Sequence, residues 1–283
     1  MKVIFVGVGA IGLPMALQIH NAGHEILGVD VAEVSRQRAQ AQGIEAVERF
    51  SLTPDADVVV VMVATPQQLA ALVEEALPKV AGQRWVIMST VGPDAVIAAA
   101  ALLLKAGASV VDAPVTGGTA RASTGELVIF ASGSDAAIAE VAPVLNAMGK
   151  VKFVGHKPGE GQGIKVINQH LCSVHIVAAA EALNLAQSLG LDPAHVLPLV
   201  EGGAAGSWML SDRGPRMLQG SDVEVSSAIN IFVKDSGLVA DAASACHADV
   251  PLLQIAHARY LAAANAGLGQ RDDSRVIETW QQE

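Results

Sequence analysis

Residues 1–30 read MKVIFVGVGAIGLPMALQIHNAGHEILGVD, and this stretch decides the fold. Lys2–Val6 is a short β-branched strand that runs directly into Gly7-x-Gly9-x-x-Gly12. Residues Ala10–Ala22 then carry a helical pattern closed by Gly23, and Glu25–Val29 is a second strand ending at Asp30. Strand, glycine turn, helix, strand and acid, in that order, form a dinucleotide-binding unit. Gly7 permits the tight turn, Gly9 lets the backbone approach a pyrophosphate, and Gly12 allows close helix–strand packing. The helix N-terminus offers unpaired N–H groups to the phosphates. Asp30 is placed to accept hydrogen bonds from ribose hydroxyls and would repel a 2′-phosphate, so NAD is favoured over NADP. Arg36 and Arg38 lie further along and read either as solvated helix residues or as cations that soften that preference.

Strand and helix patterns continue to alternate beyond this unit. Val58–Val63 is a near-continuous β-branched run, as a parallel strand covered on both faces should be. Pro66–Leu77, Pro93–Ala106 and Asp135–Met148 read as helices; Trp85–Met88, Ser109–Val111, Leu127–Ala131 and Lys152–Val154 read as strands. The pattern predicts an α/β, Rossmann-type doubly wound sheet, then an all-α C-terminal domain joined by a long interdomain helix. The domain boundaries are 1–163 and 164–283. Ligands of such sheets lie outside the carboxyl ends of the strands. That rim comprises Gly7, Val8, Gly9, Ala10, Ile11 and Gly12, then Asp30 and Val31, Val63–Thr65 with Ala64 between, and Ser89-Thr90. Asp112-Ala-Pro-Val-Thr-Gly-Gly118 ends another strand; it reads either as a backbone donor nest for a carboxylate or as an ordinary turn.

The second organising stretch is GEGQGIKVINQ, residues 159–169. Three glycines loosen the backbone before a helical run from Ile164 to Gly190, apolar almost all round and therefore expected to be buried on most faces. At 1.5 Å per residue it spans roughly 40 Å. Lys165 falls in its first turn, where a cation opposes the helix dipole, so a merely structural role is a poor fit. Asn168, three residues on, shares its face. Beyond Gly190 the segments Asp192–Gly202, Trp208–Met217, Ile229–His247, Leu252–Ala266 and Ser274–Gln282 all read as helical. Within them Lys234 either snorkels to solvent or faces a cleft. Ser207, Trp208, Arg213 and Arg216 read either as pocket lining or as ordinary helix cover.

Composition narrows the function classes. The chain has 283 residues, 51% hydrophobic and 16% charged, enough for a sizeable core. A net charge of −10 argues against nucleic acid. No apolar run approaches a membrane span; the longest, Ala95–Leu104, is bracketed by Asp94 and Lys105. With no basic leader at the N-terminus, the expected setting is cytoplasmic. Cys172 and Cys246 make no disulfide framework, and Cys172 reads as a buried inert thiol. The eight histidines show no metal-ligand spacing, and His170 and His175 read as packing or hydrogen-bonding residues rather than catalysts.

Together GVGAIGLPMA (7–16), Ser89-Thr90, DAPVTGG (112–118), GEGQGIKVIN (159–168) and KD (234–235) resemble the β-hydroxyacid dehydrogenase family across the whole chain. The resemblance implies an active site in the cleft between a Rossmann domain and a helical domain. It implies Lys165 as catalytic lysine, Asn168 as substrate-orienting asparagine, and Thr116, Gly117 and Gly118 as the substrate-carboxylate loop. Thr90 matches the residue near the nicotinamide, and Lys234 a lysine reaching both cofactor and substrate. The chain departs from the family pattern at Thr116 (serine is usual), Gln169 (asparagine) and Ser236 (leucine). GSWMLSDRGPRML (206–218), INIFVKD (229–235) and GQRDDSRVI (269–277) are most similar to the L-threonate dehydrogenase branch, implying a small anionic four-carbon sugar acid oxidised at C2. Neighbouring branches act on 3-hydroxyisobutyrate or reduce tartronate semialdehyde. Imine reduction, decarboxylation of a phosphorylated sugar acid and a non-catalytic redox-sensing NAD module are the competing readings. A homo-oligomer, dimer or tetramer, is expected from the apolar spine and helical lobe.

Overall fold

The computed structural model describes residues 1–220 and 223–280. The chain divides into two compact units, Met1–Lys165 and Val166–Glu283.

The first unit is built on nine strands. They are β1 (Lys2–Val6), β2 (Glu25–Val29), β3 (Ala46–Val47), β4 (Val58–Val61), β5 (Arg84–Ile87), β6 (Ser109–Asp112), β7 (Val115–Thr116), β8 (Leu127–Ser132) and β9 (Gly149–Gly155). The helices are α1 (Gly12–Asn21), α2 (Glu33–Ala41), α3 (Pro66–Ala76), α4 (Pro93–Lys105), α5 (Gly118–Thr124) and α6 (Asp135–Met148). The sheet runs β3-β2-β1-β4-β5-β6-β8-β7, with β9 also paired to β8. Alternate residues of each strand face opposite layers. Val3, Phe5, Val60 and Val86 join the core beneath α1 and α6, whereas Ile4, Val6, Val59 and Trp85 join the core beneath α3 and α4. This two-sided cover explains why β4 is four consecutive valines, all buried.

The sheet is parallel from β3 through β6, but β8 is antiparallel to both β6 and β7. Residues 117–126, which hold α5, connect β7 to β8 and reverse the chain there. Four elements carry too little signal to be read from sequence. β3 and β7 are two residues each, α2 is mostly polar, and α5 is seven residues rich in Gly, Thr and Ser.

The second unit is helical: most of α7 (Glu160–Ser188), then α8 (Pro193–Glu201), α9 (Trp208–Met217), α10 (Ile229–Ala245) and α11 (Pro251–Ala263). Asp192 caps α8 ahead of Pro193, and the Ser207 hydroxyl caps α9. The core gathers Ile176, Ala180, Leu183, Phe232, Tyr260 and Val276. Phe232 and Tyr260 stack with centroids 5.2 Å apart.

Several expectations change. α7 begins at Glu160, so only Gly159 (φ +100°) lies outside it and Lys165 falls in the second turn. Its side chains are not buried on most faces, since Ile167 (61%), Leu171 (48%) and Leu185 (56%) remain exposed, as does Leu189 (67%) just past its end. Asp273–Trp280 is 3-10 rather than α-helical, and residues 281 and 282 of the helix expected there lie outside the described residues. Among the described residues no helix is long and apolar enough to cross a membrane.

Candidate active site

β2, β1, β4 and β5 are neighbours in the sheet, so the loops at their carboxyl ends form one rim. Gly7 has φ +92°, and a Cβ there would lie 2.2 Å from the Met62 carbonyl oxygen. A Cβ on Gly12 would lie 1.8 Å from the Gly7 carbonyl oxygen, whereas one on Gly9 meets nothing within 4 Å. The first and third glycines are therefore required by the fold itself. The second keeps an open approach to the N-terminus of α1, which no side chain caps. These three environments fit a dinucleotide pyrophosphate. Val8 is buried beneath the loop, while Ala10 is exposed and Ile11 is the residue preceding the helix.

At the end of β2, Asp30 accepts from the Ala32 N–H through one carboxylate oxygen at 2.9 Å. Arg36 is not simply solvated: its guanidinium folds back and donates to the Asp30 and Val31 carbonyls at 2.9 and 3.0 Å. Val31 itself is exposed.

The rim residues after β4 have their backbone donors engaged within the protein. The Val63 N–H donates to Ser89 Oγ (2.7 Å), and those of Ala64 and Thr65 donate to Gln68 Oε1 (2.8 and 3.2 Å). The Thr65 hydroxyl accepts from the Gln68 N–H, completing a capping box on α3. Val63, Ala64 and Thr65 thus shape the rim through side chains and carbonyls rather than as N–H donors.

The other predicted residues lie on shared scaffolding. Thr116 ends β7, and Gly117 (φ +134°) and Gly118 (φ +66°) open α5. Asp112, at the end of β6, is completely buried and collects four donors. Its Oδ2 accepts from Gly159 N–H (2.9 Å), Gln162 N–H (3.0 Å) and Ser132 Oγ (3.3 Å); its Oδ1 accepts from Gln162 Nε2 (3.1 Å). Burial pushes the Asp112 carboxyl above its ordinary range, against the opposing pull of these hydrogen bonds. With Ser132 Oγ accepting from Gly161 N–H at 2.9 Å, the start of α7 is capped from below. Lys165 lies on α7 three residues after Gln162, and both are buried.

Further along α7, the Asn168 amide donates to Gln169 Oε1 (2.8 Å) and to Cys172 Sγ (3.4 Å), so the half-buried Cys172 is a hydrogen-bond acceptor rather than mere packing. Gln169 Nε2 donates to Asp235 Oδ2, and Lys234 Nζ pairs with Asp235 Oδ1 at 2.8 Å. Asn168 and Lys234 are therefore joined through Gln169 and Asp235. Sequence reading named Gln169 only as a departure and Asp235 only as part of a motif; nothing local marks a buried side-chain pair 66 residues apart. Ser236, the third departure, is buried and bonds the Phe232 carbonyl and His257 Nδ1, tying α10 to α11.

Arg213 and Arg216 are tied to acids. Arg213 makes a two-pronged pair with Asp273 (3.0 and 2.8 Å) and also bonds Asp212; Arg216 bonds Asp272. Burial works against the Arg213 charge, but Asp273 and Asp212 hold its pKa above the ordinary value. Trp208 lies over the Arg213 guanidinium, 5.7 Å from ring centroid to Cζ. This cluster locks the 206–218 and 269–277 segments to the start of α10, where Ile229 N–H donates to the Arg271 carbonyl at 3.0 Å.

Comparison with known proteins shows the family. Residues 2–156 match the NAD binding domain of 6-phosphogluconate dehydrogenase, and residues 159–280 the NAD-binding family of NADP-dependent 3-hydroxyisobutyrate dehydrogenase. The L-threonate dehydrogenase of Escherichia coli O6:H1 is 38% identical over 96% of this chain and 92% of that protein.

The chain belongs to the β-hydroxyacid dehydrogenase family.

The L-threonate dehydrogenase of Cupriavidus necator is 37% identical over 96% of this chain and 94% of its own length. A solved 3-hydroxyisobutyrate dehydrogenase from Salmonella typhimurium superposes with a TM-score of 0.90 at 34% identity, covering 99% of both chains. This β-hydroxyacid dehydrogenase is accordingly an oxidoreductase that uses a nicotinamide cofactor.

Proposed function

We propose that this β-hydroxyacid dehydrogenase oxidises a small anionic hydroxy acid, L-threonate in preference to 3-hydroxyisobutyrate, at the expense of NAD, with Lys165 as general base. The observation that carries this reading is Lys165 itself. It is a lysine only 7% exposed, on a helix whose first turn is fixed by Asp112, Ser132 and Gln162. The similarity to L-threonate dehydrogenases over nearly the whole chain supports the substrate.

Gly7, Gly9 and Gly12 would admit the pyrophosphate to the N-terminus of α1, and Asp30 would accept from the adenosine ribose. Asp30 supports NAD over NADP, since a 2′-phosphate would meet its like charge. Bound NAD supplies the acceptor for the hydride leaving C2. Lys165 Nζ takes the hydroxyl proton of the substrate during oxidation and returns it in the reverse direction. A lysine serves as base only as the neutral amine. Asn168 would orient the reacting hydroxyl, while Thr116, Gly117 and Gly118 would receive the carboxylate. Lys234 would offset negative charge on the substrate. The exposed Ile167, Leu171, Leu185 and Leu189 support a homo-oligomer.

The test is a panel of L-threonate, erythronate, 3-hydroxyisobutyrate, glycerate and serine, each assayed with NAD and NADP. L-Threonate with NAD should give the highest kcat/KM. A preference for 3-hydroxyisobutyrate would overturn the substrate, and no turnover of any acid by an enzyme that binds NAD would point to a non-catalytic module.

A further inference from the structure

We infer that Gln162 is a positioning residue that fixes the Ser89–Gly92 rim loop, and with it Thr90, against the segment of α7 bearing Lys165. The Gln162 amide uses all of its hydrogen-bonding capacity in the buried interior. Its Oε1 accepts from the N–H groups of Val91 (3.2 Å) and Gly92 (3.1 Å); its Nε2 donates to the Ser89 carbonyl (2.9 Å) and to Asp112 Oδ1 (3.1 Å). This pattern settles the amide orientation, because the reversed one would face donors with donors and acceptors with acceptors.

The bonds to Ser89 and Val91 fall on either side of Thr90, so one side chain holds the residue at the carboxyl end of β5 from both flanks. The Gln162 backbone N–H is in turn held by Asp112 Oδ2 at 3.0 Å. Gln162 and Lys165 are i and i+3 on one helix, so a shift of the amide is transmitted to the lysine within a single turn. Capping α7 alone would need only Asp112 and Ser132. The four bonds of the Gln162 side chain add something else, a fixed distance between a ligand-facing strand end and the helix. A displacement of about 1 Å at a reacting group costs on the order of 100-fold in rate.

The inference rests on the proposed role of Lys165, and the experiment separates the two. Gln162→Met is nearly isosteric and removes all four bonds. Gln162→Asn keeps the amide on a shorter arm, and carries the same measurements if the Met variant does not fold. Each is assayed with L-threonate and NAD beside wild type and Lys165→Ala, with NAD affinity by calorimetry and hydrogen exchange at the Val91 and Gly92 amides. The expected result is at least tenfold faster exchange at both amides and a kcat lower by about 100-fold, with KM and the NAD Kd within threefold. Faster exchange with kcat within threefold of wild type overturns the inference, as does a kcat that falls only in step with the NAD-binding fraction. If Lys165→Ala keeps wild-type activity, the base assignment fails and the inference falls with it.

Discussion

Gln169 donates from Nε2 to Asp235 Oδ2 at 2.5 Å, linking α7 to α10 by a buried amide–carboxylate contact. Both residues are more than nine-tenths buried. Replacing the amide by a carboxylate, Gln169→Glu, sets two acids against each other where water cannot screen them, so one must take up a proton. The folded variant therefore binds a proton that its unfolded chain releases near neutral pH, and its stability falls as pH rises. The Tm difference from wild type should be widest near pH 8 and narrow toward pH 5. A difference that does not change with pH would contradict the contact.

The glycine loop separates folding from ligand approach. Gly12→Ala places a methyl against the Gly7 carbonyl and should cost about 1–3 kcal/mol of stability. Gly9→Ala meets open space, so it should melt within a degree or two of wild type while NAD affinity drops at least tenfold. Equal melting and equal affinity losses in both variants would contradict this division.

Cofactor choice should rest on the Asp30 carboxylate. Asp30→Ala removes the like charge while Arg36 keeps its bonds to the Asp30 and Val31 carbonyls, which belong to the backbone. The ratio of kcat/KM for NADP over NAD should rise at least tenfold. An unchanged ratio would place discrimination elsewhere on the rim.

The Arg213–Asp273 pair is two-pronged and buried. Asp273 is completely buried, so Asp273→Ala leaves a guanidinium without its main partner and should cost about 3–5 kcal/mol in urea unfolding. A loss below 1 kcal/mol would show the pair to be dispensable.

What was legible in the sequence follows from how local each signal is. The glycine spacing, the valine run of β4 and the Asp192-Pro193 start of α8 are contiguous, and periodicity with end residues identifies them. The antiparallel turn of β8 depends on pairing with β6 and β7, and two-residue strands have no periodicity to read. The start of α7 was misread for a physical reason: its cap comes from Asp112 and Ser132, far away in sequence, so the glycines were the only local cue. Lys165 and Asn168 stood out because polar residues in an apolar helix are conspicuous. Gln162 and Gln169 did not, because a glutamine's partners are invisible until the chain folds. Arg213 and Arg216 read equally as pocket lining or helix cover for the same reason, their acids being about sixty positions downstream.

The proton acceptor is tested by the pH dependence of kcat/KM for L-threonate oxidation in wild type and in Lys165→Ala, with the NAD Kd measured on both. If Lys165 is the base, the wild-type value rises with pH through a single ionisation. The variant then loses roughly 100- to 10,000-fold of that activity, shows no such rise, and binds NAD within threefold of wild type. A Lys165→Ala enzyme within tenfold of wild type, with the same pH profile, would remove the lysine from the chemistry.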